Sequence, residues 1–449
     1  MSELVMKYQQ YEEYKESGIE WVGSIPSHWE ETPVFSCFDA TSEKNLDGKE
    51  ANVLSLSYGN IIKRDVDTNF GLLPESFNTY QIVGVGDIIL RLTDLQNDKR
   101  SLRVGLAKEK GIITSAYLKL KPKDRLDSVF AYRLLHSYDT TKVYYGLGGG
   151  LRQSMKFEDF RRLPILVPPY EEQIQINRFL DYEVVRIDTL IEKQQTLIQL
   201  LKEKRQAVIS HAVTKGLNPD APMKDSGVEW LGSVPEHWEV QRFKFLCDQI
   251  ISGPFGSSIT KDMYVKYGYK VYGQEQVIAN DFEIGDYFIS VKDFENLSRY
   301  KVKKGSILIS CVGTFGKIAV FPFDAPEGII NPRLIQAKLN SGNDSFFIRE
   351  LLKSETVYKQ FELLSRGGTM GVINISILNE IIVATPNKSE QTEIYEYLVE
   401  QQNRFNGLIE KAEQAIQLMQ ERRTALISAA VTGKIDVRGW RVPDVDSLE

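Results

Sequence analysis

The sequence of 449 residues is poor in cysteine and histidine, the side chains that most often bind zinc and other transition metals. Its three cysteines, Cys37, Cys247 and Cys311, and its four histidines are spread along the chain. With no C-x-x-C pair and an odd number of thiols, neither a disulfide framework nor a metal site is indicated. No apolar run reaches the roughly 18 residues that a membrane-spanning helix needs. We expect a chain without bound metal in a reducing, cytoplasmic setting.

Motifs for nucleotide binding and methyl transfer are missing as well. No G-x-x-x-x-G-K-S/T loop occurs, and residues 313–317 (G-T-F-G-K) are interpreted as a β-turn. Residues 167–170 (V-P-P-Y) resemble the adenine-binding motif of methyltransferases, but valine replaces the residue that must hydrogen-bond the target amine. The glycines of residues 146–150 have no strand with an acidic ribose partner around them. We therefore expect no catalytic residue and no bound cofactor in this chain.

Two internal repeats determine how the chain is organised. Residues 17–30 (SGIEWVGSIPSHWE) match residues 226–239 (SGVEWLGSVPEHWE) at ten of fourteen positions, at an offset of 209. Residues 171–214 match residues 389–432 without gaps at twenty of 44 positions, at an offset of 218. A longer segment that matches poorly lies between the short and the long repeat in each half. The order is thus short repeat, variable region and long repeat, written twice.

The short repeat, here called the Trp element, contains four of the five tryptophans. In each copy a histidine, His28 or His237, lies between a proline and a tryptophan in an apolar, glycine-rich setting. This setting favours packing against a helix or a neighbouring domain over catalysis. The tryptophans expected to pack in this way are Trp21, Trp29, Trp230 and Trp238.

The long repeats have the pattern of helices that need a partner. Apolar residues recur at alternating spacings of three and four, which is a heptad seam. Gly216 and Gly433 are plausible terminators of the two helices. About 40 residues at 1.5 Å each give a rod of roughly 60 Å, and the obvious partner of each helix is the other one. The seam positions, expected to serve as spacer and subunit-docking residues, are Leu180, Ile187, Ile191, Ile198, Leu201, Leu398, Phe405, Ile409, Ile416 and Met419.

The variable regions are expected to be β-rich, because short apolar runs lie between glycines and polar turns. The predicted fold class is α+β, with two β-rich variable domains separated by two long helices that form an antiparallel coiled coil, in a pseudo-two-fold internal repeat. The expected segments are a repeat element (1–30), a variable domain (31–165), a central helical spacer (166–216), a second repeat element (217–239), a second variable domain (240–384), a C-terminal helical spacer (385–433) and a tail (434–449).

Positive charge is concentrated in the variable regions, although the net charge of the chain is −6. Residues 86–125 contain ten Lys/Arg and five Asp/Glu, and residues 298–338 contain seven and two. Lysine and arginine neutralise phosphates, and arginine also reads guanine with two hydrogen bonds. The alternative is a solvated surface without a nucleic-acid partner. The DNA-binding candidates are Arg91, Lys99, Arg100, Arg103, Lys108, Lys110, Arg152, Lys301, Lys303, Lys304, Lys317, Arg333 and Arg366.

Taken together, these elements resemble the specificity subunit of type I restriction–modification enzymes. The resemblance rests on the doubled G-I/V-E-W-x-G-x-x-P-x-H-W element, the helix entry that ends in E-Q, and the helix that runs from L-I-E-K to A-V-T. Residues 252–258 (S-G-P-F-G-S-S) and 313–317 also resemble family elements, and the likeness covers nearly the whole chain. The first variable region departs more, since residues 92–94 (L-T-D) stand where G-T-x-G-K would be.

The resemblance implies that each variable region is a target-recognition domain reading one half of a bipartite site in double-stranded DNA. The helices would fix the gap between the two half-sites and dock two modification subunits. Two restriction subunits with motor and nuclease activity would then join the complex. S-adenosylmethionine is then expected in the modification subunits, which methylate adenine N6 after flipping the base. ATP and Mg²⁺ are expected in the restriction subunits. Two other hypotheses stay open. A fused enzyme would need a cofactor motif, and a coiled-coil scaffold would not need the two basic stretches.

Overall fold

A computed structural model describes residues 8–64, 76–93, 95, 98, 101–146, 155, 157–311, 316–365 and 373–443. The chain divides into two compact units, the first made of residues 1–196 with 413–449 and the second of residues 197–412. Each unit therefore combines the beginning of one long helix with the end of the other. Within the described ranges, no helix has the length and apolar character of a membrane crossing, and no group of side chains has the composition of a metal site.

The chain up to the end of the first long helix alternates short strands with a few helices. In chain order these are β1 (Tyr14–Glu16), β2 (Ser24–Pro26), β3 (Glu30–Pro33), α1 (Val34–Cys37), β4 (Phe38–Asp39), β5 (Leu54–Ser57), β6 (Asn60–Lys63), β7 (Gln81–Val83), β8 (Ile88–Leu90), β9 (Val104–Leu106), β10 (Gly111–Ile113), β11 (Leu118–Pro122), α2 (Ser128–Thr140), α3 (Phe157–Phe160), β12 (Pro164–Val167) and α4 (Tyr170–Lys215).

The remainder of the chain follows the same plan. Its elements are β13 (Met223–Asp225), β14 (Ser233–Pro235), β15 (Glu239–Arg242), β16 (Cys247–Ser252), β17 (Tyr264–Val265), β18 (Tyr269–Tyr272), α5 (Gln274–Ala279), β19 (Phe288–Ile289), α6 (Val291–Asn296), β20 (Ile307–Ser310), β21 (Ile318–Val320), β22 (Gly328–Ile330), β23 (Leu334–Leu339), α7 (Ser345–Leu352), α8 (Glu355–Ser365), α9 (Ile375–Glu380), β24 (Ile382–Thr385) and α10 (Lys388–Val431).

Both units contain a four-stranded antiparallel sheet with the same strand order. The order is β4-β11-β8-β9 in the first unit and β16-β23-β20-β21 in the second. Every residue of β8 and of β20 is buried, which explains why these strands are continuous apolar runs. The helix after the last strand begins at an aspartate in each unit, Asp127 for α2 and Asp344 for α7, whose carboxylate accepts two backbone N–H groups. The prediction of two β-rich regions with one shared fold is confirmed.

A two-stranded antiparallel ladder joins the ends of each variable region. Strand β3 pairs with β12 in the first unit, and β15 pairs with β24 in the second. In the second ladder Val240 lies opposite Ala384, so the segment between them starts and ends at neighbouring backbone positions.

The long helices α4 and α10 run antiparallel in each unit, as the heptad seam predicts. In the first unit Arg423 Nε lies 3.0 Å from Asp188 Oδ1, and in the second Arg205 Nη1 donates to Asn406 Oδ1 at 2.6 Å. The offset of 218 relates Asp188 to Asn406 and Arg205 to Arg423, so the duplicated helices repeat the same cross-helix contact. Both helices end where predicted, at Gly216 and Gly433, which adopt φ of +77° and +71°.

The predicted seam residues pack inside the units, which corrects one part of their expected role. Leu180, Ile187, Leu398, Phe405 and Ile409 are buried. The other five are half-buried: Ile191, Ile198, Leu201, Ile416 and Met419. The five buried side chains are occupied by the chain's own helices and cores and are unavailable for docking a partner, whereas docking through the half-buried five stays a prediction. The buried five hold the spacer together.

Candidate nucleic-acid interface

The Trp element of each unit is fastened to the start of a long helix by one carboxylate. In the first unit Trp29 Nε1 donates to Glu172 Oε1 at 2.9 Å, and His28 Nε2 lies 2.8 Å from Glu172 Oε2. In the second unit Trp238 Nε1 donates to Glu390 Oε1 at 3.0 Å. His237 Nε2 lies 2.8 Å from Glu390 Oε2. The histidines thus position the carboxylate beside a buried indole, which agrees with packing as their role.

The glutamine after each of these glutamates ties the same helix to the variable domain. Gln173 Oε1 accepts from Asp127 N at 2.8 Å, and its Nε2 donates to Pro168 O at 2.8 Å. Gln391 repeats both bonds, with Asp344 N at 2.8 Å and Pro386 O at 2.9 Å. Both glutamines are buried. The E-Q pair therefore joins the Trp element, the long helix and the helix after the sheet into one frame.

The two frames differ in how completely they exclude water. In the first unit Tyr11 Oη donates to Glu172 Oε1 at 2.6 Å, and Arg438 lies 5.0 Å from the centre of the Tyr11 ring. Burial, and then the hydrogen bond to Glu172, raise the pKa of Tyr11. The second unit has Asp220 at the position of Tyr11, and a cavity of about 450 Å³ lies beside Glu390. Glu172 is therefore sealed, whereas Glu390 borders an open cavity.

The tryptophans divide into two kinds. Trp29 and Trp238 are buried, as predicted, and they belong to the two largest cores. Trp21 and Trp230 are 38% and 37% exposed, although the ring of Trp21 still contacts Tyr138 edge-on at 5.9 Å. The expected packing role therefore rests mainly on the second tryptophan of each element.

Arg103, a predicted DNA contact, is a structural residue. Its side chain is fully buried, and its Nη1 donates to Thr93 O at 2.7 Å and to Arg91 O at 3.3 Å. Its Nη2 donates to Asp98 O, and its Nε donates to Tyr145 Oη at 3.2 Å. The guanidinium fastens the segment after β8, so it is not available to DNA. The prediction for this residue is wrong because arginine satisfies backbone carbonyls as readily as phosphates.

The other described candidates of the first unit lie at its surface. Arg91 Nη1 lies 3.4 Å from Asp98 Oδ2, and Lys110 Nζ lies 3.4 Å from Glu50 Oε2. Lys108 is exposed on the turn between β9 and β10. These positions are compatible with phosphate contacts, which stay a prediction. Lys99, Arg100 and Arg152 lie outside the described residues, as does Arg366 of the second unit.

The second unit exposes a run of cations around its main sheet. Lys303 and Lys304 are exposed on the turn before β20, and Lys317 is exposed on the turn before β21. Lys301 is half-buried, with its Nζ 4.0 Å from the centre of the Phe294 ring. Arg333 is exposed on the turn before β23. The arrangement suits a phosphate backbone, and the individual contacts stay predictions.

A cavity of about 720 Å³ in the second unit includes Arg333 in its wall. Its polar lining also contains Lys261, Gln274, Glu275 and Asn331. Sequence reasoning singled out only the arginine, because the other four come from a short helix and from turns without a recognisable pattern. It also missed the pairing of Glu172 and Glu390 with the Trp elements. The signal for that pairing was present, since both partners recur in both halves.

Two known proteins with similar sequences carry the name of a specificity subunit. Residues 235–418 match the family model of the type I restriction modification DNA specificity domain. The chain is 22% identical over 455 residues to a Methanocaldococcus jannaschii protein named as the type I restriction enzyme MjaX specificity subunit, with 97% of this chain and 99% of that protein covered. It is 23% identical over 342 residues to the EcoKI specificity subunit of Escherichia coli, covering 73% and 70% of the two chains.

Solved structures share the fold. The crystal structure of the HsdS subunit from Thermoanaerobacter tengcongensis has a TM-score of 0.57 at 15% identity, covering 94% of this chain and all of that chain. A chain from a structure on complex assembly of the type I R-M system has a TM-score of 0.65 at 15% identity, covering 91% and 98%. The chain is thus similar to type I restriction–modification specificity subunits in the matched domain and along nearly the whole length of one relative, and it shares the fold of the solved subunits.

Proposed function

We propose that each unit reads one half of a bipartite site in double-stranded DNA. The observation that carries this proposal is a repeated frame with two different surfaces. Strand order, the Glu172 and Glu390 anchors and the capping aspartates recur in both units. The polar residues that line the cavities beside the two main sheets differ. A duplicated module with unlike recognition surfaces suits a target whose two halves have unlike sequences.

The helices α4 and α10 set the gap between the half-sites and dock the modification subunits. Both helices leave apolar side chains exposed outside the seam, and these side chains would supply the apolar core of a protein interface. In the first unit these are Val185, Leu190 and Leu418, and in the second Leu197, Leu200, Val399 and Leu408. Two modification subunits bind here and recruit the restriction subunits. Together with the half-buried seam residues, these residues form the candidate docking surface.

The cofactors of the reaction belong to those partners in this account. The modification subunits bind S-adenosylmethionine and methylate adenine N6, and the restriction subunits use ATP and Mg²⁺. This chain contributes sequence recognition in the cytoplasm. The proposal fits the sequence, which carries no complete motif for binding S-adenosylmethionine or ATP.

Lengthening both helices tests the proposal. Four residues inserted after Thr196 and four after Ala412 add about 6 Å to each helix, and a four-residue insertion in a heptad is accommodated by local unwinding. Mapping N6-methyladenine in cells that express the variant with its modification subunit should show both half-sites unchanged and a gap longer by one or two base pairs.

The control is the same insertion in α4 alone, which should abolish methylation because the two helices no longer match in length. An unchanged gap in the double insertion would remove the spacer role. A contiguous methylation motif in the unaltered chain would contradict the bipartite reading itself.

A further inference from the structure

We infer that Arg333 is a specificity-determining residue, which reads a guanine in the half-site of the second unit. The inference rests on the proposed function and names one of its base contacts. It starts from a duplicated location, the turn that leads into the outgoing strand of the main sheet. In the first unit this turn joins β10 to β11, and in the second it joins β22 to β23. A cavity lies beside the turn in both units.

The two cavities share a location and differ in chemistry. The polar lining of the first consists mainly of hydroxyl groups, from Thr41, Ser42, Thr93 and Ser115. Its lining lysine, Lys119, is largely buried and donates to Ile82 O at 2.9 Å. The lining of the second contains two exposed cations, Lys261 and Arg333. One scaffold position thus carries two different sets of polar groups, as two unlike half-sites require.

The turn that carries Arg333 is held from three sides. Asn331 N donates to Tyr272 O at 2.8 Å, and Cys311 N donates to Arg333 O at 2.8 Å. Asn331 Oδ1 accepts from Arg333 N at 2.9 Å, which fixes the bend. Gly253, from the S-G-P-F-G-S-S element, packs so closely that a Cβ there would lie 1.9 Å from Asn331 O. The backbone that presents Arg333 is therefore rigid, and rigid presentation is what base reading needs.

The guanidinium of Arg333 is not used in contacts with the described part of the protein. Its side chain is exposed, and none of the described residues forms an ion pair or side-chain hydrogen bond with its guanidinium. This distinguishes Arg333 from Arg103, whose guanidinium donates hydrogen bonds to backbone carbonyls. Strands β10 and β22 both begin with a glycine. Arg333 is the third residue after the end of β22, and Ala116 is the third residue after the end of β10, so the first unit has alanine at the equivalent position.

Guanine is the base whose edge fits this group. In the major groove guanine presents O6 and N7 as adjacent acceptors, and arginine donates to both at once. The paired cytosine presents an N4 amino donor, which suits a carboxylate such as that of Glu275 in the same lining. Lys261, exposed at the same cavity, suits a neighbouring phosphate. The lining thus matches both edges of a G·C pair.

The test compares N6-methyladenine maps from cells expressing the modification subunit with the unaltered chain, R333A, R333K or K304A. In R333A one guanine position of one half-site should become degenerate, with discrimination there falling roughly 5- to 150-fold. The other half-site and the gap should not change. R333K should keep part of the preference, because lysine can still donate to guanine.

K304A is the matched control, since Lys304 is an exposed cation of the same unit without a place in the cavity. It should lower methylation evenly and leave the motif unchanged. If R333A behaves like K304A, or if R333A and R333K keep the full motif, the inference is overturned. A half-site without guanine in the unaltered chain overturns it too. Failure of the unaltered chain to direct methylation to a split motif would instead refute the proposed function.

Discussion

Replacing Glu172 with alanine is expected to lower the unfolding temperature of the protein by roughly 6 to 12 °C. The carboxylate is almost fully buried, with 5% of the side chain exposed, and it accepts hydrogen bonds from Tyr11 and Trp29. Its removal leaves the indole N–H and the phenol without a partner in a sealed site. Losing a charged acceptor and stranding its donors costs about 3 kcal/mol. A unit of 150–250 residues loses roughly 2 to 4 °C for each kcal/mol.

The duplication supplies a matched control for this effect. Glu390 makes the equivalent contacts to Trp238 and His237, but 25% of its side chain is exposed and a cavity lies beside it. Water can therefore replace the carboxylate in E390A, and we expect a loss of about 1.5 kcal/mol, or roughly half the shift. Calorimetry measures both shifts, and hydrogen exchange of residues 24–33 localises the change in E172A. Equal shifts in the two variants would contradict the difference in sealing.

Exchanging residues 240–384 for the corresponding segment of another specificity subunit should replace one half-site completely and leave the other unchanged. The segment begins and ends at Val240 and Ala384, which face each other in the β15–β24 ladder. The contacts of Glu390 with the Trp element and of Gln391 with Pro386 O are retained, and the new segment has to supply the backbone N–H that Asp344 donates to Gln391. The exchange therefore replaces the recognition surface and keeps most of the frame.

The reciprocal exchange, of residues 31–165, is the control. Its ends lie at adjacent rungs of the β3–β12 ladder, where Glu31 pairs with Leu166 and Thr32 with Ile165. It should alter the opposite half-site only. Methylation mapping reads both results, and a change in both half-sites from a single exchange would show that the units do not read DNA independently.

Periodic and repeated features were the ones that the sequence could predict. The heptad seam predicted α4 and α10, because the buried face of a long amphipathic helix has an apolar residue at every third or fourth position. The doubled Trp element predicted a packing role, and Trp29 and Trp238 are buried. In both cases the signal is local, or it is repeated at a fixed offset.

Features that depend on contacts between distant segments could not be predicted in the same way. Arg103 counted as one of a run of basic residues, and only the fold places its guanidinium against the carbonyls of Arg91, Thr93 and Asp98. The seam residues were expected to serve as spacer and docking residues, and burial within the units excludes docking for five of the ten. The cavity beside Arg333 draws its lining from loops far apart in the chain, such as those of Lys261 and Asn331. Charge counts along a sequence do not distinguish a structural arginine from an exposed one.

We propose above all that this chain determines which DNA sequence a methyltransferase modifies. The most direct measurement is a single-molecule map of N6-methyladenine in the DNA of cells that express this chain, its modification subunit, or both. The account predicts a split motif that is methylated only when both proteins are present. A stable complex of the two proteins without any methylation would contradict it, and would favour a protein-binding scaffold built on the same helices.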